Sequence, residues 1–73
     1  MITYHINIFY SEEDEGYIAD IPDLKSCSAF GETPVSALNE VLIAQKAWLD
    51  AAAATNREIP KAKYKPMIYQ VAQ

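Results

Sequence analysis

The chain has a single cysteine and a single histidine among 73 residues, only two glycines, and no apolar run near the ~20 residues that a membrane helix needs. One thiol excludes an intramolecular disulfide. His5 and Cys27 are the only soft metal ligands, whereas a structural metal site needs about four, so neither metal nor cofactor is expected. No basic segment followed by an apolar stretch opens the chain. No secretory leader is therefore expected, and with its lone thiol the chain is read as cytoplasmic. A domain of this size buries only about 60% of its unfolded surface. Without a disulfide or metal staple, association into a homo-oligomer is the expected support.

Positive charge is also scarce, and it is unevenly placed. Residues 1–56 carry nine acids against two bases, a net charge of −7. Residues 57–73 carry Arg57, Lys61, Lys63 and Lys65 against Glu58, a net charge of +3, so the whole chain stands at −4. An acidic body repels phosphate backbones, which argues against nucleic-acid binding by the folded part. It suits a basic protein partner, because opposite fields speed the right encounter. Four cations in the tail would support only weak, salt-sensitive, non-specific phosphate contact.

What is present reads as one α+β domain spanning residues 1–73. Residues 2–10 alternate: Ile2, Tyr4, Ile6, Ile8 and Tyr10 share one face, and Thr3, His5, Asn7 and Phe9 the other. Polar residues 11–15 and Gly16 then make a hairpin turn into a second strand over 17–21, with Tyr17, Ala19 and Ile21 on one side and Ile18 and Asp20 on the other. Pro22 and Asp23 break that strand. A third strand over 27–31 alternates Cys27, Ala29 and Gly31 with Ser28 and Phe30, completing an antiparallel meander.

A helix follows. Thr33 can cap its first turn, and Pro34 sits where a missing N–H costs nothing. Val35, Leu38, Val41, Leu42, Gln45, Trp48, Leu49 and Ala52 mark the expected packing face, and Asn56 is the expected left-handed terminator. Residues 57–66 read as a basic, proline-containing linker and 67–71 as a short fourth strand. The order is then β-β-β-α-β, with a right-handed crossover.

The stretch from Gly16 to Leu38, GYIADIPDLKSCSAFGETPVSAL, carries a resemblance. Gly16, Tyr17, Ala19, Pro22, Asp23, Leu24, Cys27, Gly31, Thr33, Ala37 and Leu38, followed by Trp48-Leu49 and Glu58-Ile59-Pro60, resemble the small N-terminal domain of HicB-like antitoxins. The likeness covers roughly residues 4–60. It implies a partial ribonuclease H-like fold and a role in a type II toxin–antitoxin pair: binding a small basic HicA-like toxin that cleaves mRNA, and covering its active site. The chain departs from the pattern in two ways. Ser26 stands where family members often have Gly, and no room is left for the C-terminal DNA-binding domain that many carry, so autorepression by this chain alone is not expected.

The ribonuclease H likeness raises Asp20, Asp23 and Glu40 as nuclease ligands. Two-metal phosphoryl chemistry needs several converging carboxylates, and neither 2–10 nor 67–71 supplies one, so the chain is not expected to be an enzyme. The acidic run Glu12, Glu13, Asp14, Glu15 is most simply a solvated hairpin tip; with Asp20 and Asp23 it is also the candidate partner-binding set. His5 is expected at a surface or interface, Cys27 as a small buried residue, and Trp48 in the core or against a second subunit. The alternative function is an orphan oligomeric interaction module of the same fold without a toxin.

Overall fold

The computed structural model describes residues 3–66. Three antiparallel strands, β1 (Asn7–Ser11), β2 (Gly16–Asp20) and β3 (Ser28–Gly31), form a sheet in the order β1-β2-β3, and one helix, α1 (Pro34–Ala54), packs on one face. The fold is α+β, as the patterning predicts. The expected fourth strand over 67–71 lies outside the described residues.

The first strand is shorter than its alternation predicts. Its partner β2 ends at Asp20, opposite Asn7. Beyond it the Ile21 N–H donates across a closed loop to the Cys27 carbonyl (3.0 Å), so residues before Asn7 have no strand to pair with in that direction. The alternation still works there: Tyr4 is buried and Ile6 packs against the core.

The loop from Ile21 to Cys27 is two turns in series. Leu24 N–H donates to Ile21 O and Cys27 N–H to Leu24 O, each at 3.1 Å. This folds Ile21, Leu24 and Cys27 inward, where each is buried. Ser26 has φ 60°. That is the third position of the second turn, where a positive φ marks type II and favours glycine. Glycine would take this conformation without the cost that Ser26 bears.

The helix begins as expected. The Thr33 hydroxyl accepts from Ser36 N–H (3.0 Å), and the Ser36 hydroxyl accepts from Thr33 N–H (3.0 Å), a reciprocal cap. It ends in a Schellman motif: Arg57 N–H donates to Ala52 O (2.8 Å), Asn56 N–H to Ala53 O (3.2 Å), and Asn56 takes φ 58°.

Of the expected packing face, Leu38, Val41, Trp48, Leu49 and Ala52 face inward, while Val35 and Leu42 do not. Ala37, Val41 and Ala52 are buried, and Leu38, Ala44, Trp48 and Leu49 pack beside them, while Val35 is 66% exposed and Leu42 43%. The small residues decide this. A Cβ built on Gly31 would lie 2.2 Å from Ala37 N, so glycine in β3 and alanine in α1 let sheet and helix meet at close range. Bulky Val35 and Leu42 fall outside that seam. The helix lies mainly over β3 and β2, which leaves Ile8 and Tyr10 of β1 exposed on the helix side.

Candidate protein-interaction surface

The acidic hairpin tip is built by local bonds. Ser11 Oγ donates to the Asp14 carboxylate (2.8 Å), and Glu15 N–H donates to Glu12 O (3.3 Å). Glu15 closes the loop at φ 54°, a left-handed conformation that costs a side-chain-bearing residue about 1 kcal/mol. All four acids from Glu12 to Glu15 are exposed.

The structure does not bring Asp20 and Asp23 to that tip. β2 starts at Gly16 and ends at Asp20, and four strand steps separate these residues by about 14 Å. Asp23 lies one turn further on, and its carboxylate is engaged within the chain: Tyr64 N–H donates to its two oxygens at 3.1 and 3.2 Å. The six sequence candidates therefore fall into two groups at opposite ends of the sheet.

Charge divides along the same axis. The tip half holds Glu12, Glu13, Asp14, Glu15, Glu32 and Glu40 and no Lys or Arg, a net charge of −6. The other half holds Asp20, Asp23, Asp50 and Glu58 against Lys25, Lys46, Arg57, Lys61, Lys63 and Lys65, a net charge of +2. An open depression lies in each half. One is lined by Glu32, Glu40, Phe30, Gly31, Thr33 and Ser36, the other by Asp23, Glu58, Pro60, Lys61 and Lys63.

The positive half is strapped down by residues 57–66. Tyr4 Oη donates to Pro60 O, and the Tyr64 ring lies 4.8 Å from the His5 ring at 51°. Arg57 sits 5.6 Å above the Trp48 ring, a cation–π distance, while the Trp48 indole N–H donates to Lys25 O (2.9 Å). Trp48 thus joins helix, loop and strap within one chain. His5 Nε2 also lies 2.7 Å from Asn7 Oδ1. Burial, helped by the Asp23 charge, raises the Tyr4 phenol above its usual pKa. Burial and then Asp20 raise the Cys27 thiol likewise, so this buried cysteine is held as a neutral thiol.

Between the two ends runs an apolar row on the sheet face away from the helix. Phe9 pairs with Ile18, and Ile18 with Phe30, directly across the strands. Phe9 is 52% exposed and Phe30 44%. Alternation alone assigns these three residues to the outer side; the register that aligns them in one row is not readable from it. Likewise no local signal marks the bond from Tyr64 to Asp23, 41 positions apart.

Among the described residues no group of three or more His, Cys, Asp or Glu is placed to hold a metal ion. No helix among them is long and apolar enough to cross a membrane.

No family model matches the chain, and no solved structure matches it significantly. Among curated proteins it is similar to the UPF0150 protein ssl0259 of Synechocystis sp., with 36% identity over 53 residues that make up 73% of this chain and 73% of that protein. With that identity over that share of both chains, the chain belongs to the UPF0150 family.

Proposed function

We propose that this chain is a HicB-like antitoxin, which neutralises a small, basic, mRNA-cleaving HicA-like toxin by direct protein binding. UPF0150 is a HicB-related family, which supports the reading. The observation that carries it is the tip half, with six exposed or rim acids and no base. A surface built to hold RNA is positive, and a concentrated negative end competes for it by occupying the sites that phosphates would take. Glu12, Glu13, Asp14 and Glu15 would make the contact, with Glu32 and Glu40 behind them. Asp20 and Asp23 act in a different place, at the far end of the sheet, and Asp23 meets a partner only after releasing Tyr64. The mechanism is occlusion, so no catalytic residue is needed on this chain.

The test is co-expression with a small, basic HicA-like toxin, followed by purification and an RNA-cleavage assay. A stable complex with silenced cleavage supports the antitoxin. Cleavage that continues at saturating amounts of this chain contradicts it.

A further inference from the structure

The ladder fixes which backbone groups of β3 are spent on the sheet. The Ile21 N–H donates to the Cys27 carbonyl, and the same register continues with Ala19 opposite Ala29 and Tyr17 opposite Gly31. Bonded and non-bonded pairs alternate along an antiparallel ladder, so Ala29 and Gly31 bond to β2. The N–H and C=O of Ser28 and Phe30 therefore point the other way, off the sheet. Among the described residues no backbone bond from outside the sheet reaches either one, and both residues are exposed. Beside this edge lies the depression that Phe30 and Glu32 share with Ser36 and Glu40 of the helix, and no Lys or Arg lines it.

We infer that, in the antitoxin role proposed above and resting on it, the open edge of β3 takes up an extended segment of the small basic partner as an added strand, one whose apolar side chains alternate with Lys or Arg.

Strand addition draws affinity from main-chain bonds and specificity from alternate side chains. Ser28–Gly31 carries no Lys, Pro or other charge of the kind that blunts an edge against pairing. One side of an incoming strand meets the Phe30 ring, which is 44% exposed. The other meets Glu32 and Glu40, whose charge suits a cation and repels an acid. A second copy's β3, Ser28-Ala29-Phe30-Gly31, has no cation to offer them. The open edge of β1 is the poorer host, because Tyr64 rests against His5 and the chain itself thus returns to the start of β1. Two outward residues limit β3 to a few bonds, so this edge adds to the tip contact and does not replace it.

Amide hydrogen exchange, read by NMR at each residue, tests this on the unaltered chain, free and saturated with a HicA-like toxin. The Ser28 and Phe30 amides should exchange fast in the free chain and at least about tenfold more slowly in the complex. Ala29 and Gly31, already bonded to β2, should be protected in both states. Ser28→Pro removes an outward N–H that the sheet does not use, a change that edge strands tolerate. It should weaken the complex about tenfold, the scale of one or two lost hydrogen bonds, whereas Ser28→Ala should bind normally. Glu40→Lys should weaken binding and reduce its salt dependence. Should circular dichroism show Ser28→Pro unfolded, the exchange measurement decides alone. A silenced toxin complex in which Ser28 and Phe30 still exchange fast overturns the added strand and leaves the antitoxin reading standing, as does Ser28→Pro binding as well as Ser28→Ala. Binding indifferent to Glu40→Lys overturns the alternating cations. Protection that rises with the concentration of the free chain assigns the edge to a second copy, against the inference. No complex at saturating toxin removes both readings.

Discussion

The two ends of this small sheet do different work. At the positive end, Ile21, Leu24 and Cys27 are buried within a tight loop, and bonds from Tyr4 to Pro60, Trp48 to Lys25 and Tyr64 to Asp23 tie distant parts of the chain together. At the acidic tip the bonds are local, from Ser11 to Asp14 and Glu15 to Glu12, and the side chains are exposed. Stability is concentrated where the chain closes on itself, and the acids of the tip are left exposed.

The largest expected contrast is in stability. Leu24→Ala or Ile21→Ala should cost about 2–5 kcal/mol by leaving a cavity, enough to unfold much of a domain this small, whereas Glu13→Ala should stay within about 0.5 kcal/mol. Urea denaturation of both variants measures the difference.

Gly31 breaks the simple division, because it sits near the tip yet lies in the seam between sheet and helix. Gly31→Ala would drive a Cβ into Ala37 backbone and should cost about 1–3 kcal/mol. Gly16→Ala meets instead the Phe30 ring, at 2.4 Å. A ring on an open face can swing away, so the thermal midpoint should fall less than for Gly31→Ala.

Asp23→Ala removes the acceptor for Tyr64 N–H. A loss of about 1 kcal/mol is expected, with faster hydrogen exchange at the Tyr64 amide and no change at the hairpin tip. Glu15→Gly should act in the opposite sense at the tip, gaining up to about 1 kcal/mol by relieving a left-handed residue. Ser26→Gly should do the same at the other end, and the equality of the two gains would show that this strain is local rather than a property of either end.

Alkaline pH should act through the buried end. Cys27 and Tyr4 are both raised by burial, from ordinary values of 9.0 and 10.0. The unfolded chain therefore loses these protons first, so stability is fully present below about pH 9 and declines as pH rises toward the folded-state values. Cys27→Ala should remove the earlier part of that decline in a pH series of melting curves.

Sequence patterning reaches the elements because each is marked locally. Thr33-Pro34 caps the helix, Asn56 ends it in the expected left-handed conformation, and alternation separates Tyr4, Ile6, Tyr17 and Ala19 from Phe9, Ile18 and Phe30. It misplaces what depends on two elements meeting. Val35 and Leu42 look like core by size and spacing, but Gly31 and Ala37 set the close approach and leave both outside it. The candidate site divides the same way. Glu12 to Glu15 stand together because they are consecutive, while Asp20 and Asp23, equally acidic, are carried to the other end by the length of β2, and Asp23 is claimed by a backbone N–H far along the chain.

The proposed antitoxin role rests on the tip end docking a basic partner. Its most direct test is the affinity of a HicA-like toxin, measured against salt concentration, for two double charge reversals: Glu12→Lys with Glu13→Lys at the tip, and Asp20→Lys with Asp23→Lys at the other end. The tip variant should lose most of the affinity and of its salt dependence, with a smaller change at the far end. Unchanged binding by the tip variant, with loss confined to the Asp20 and Asp23 variant, would contradict it.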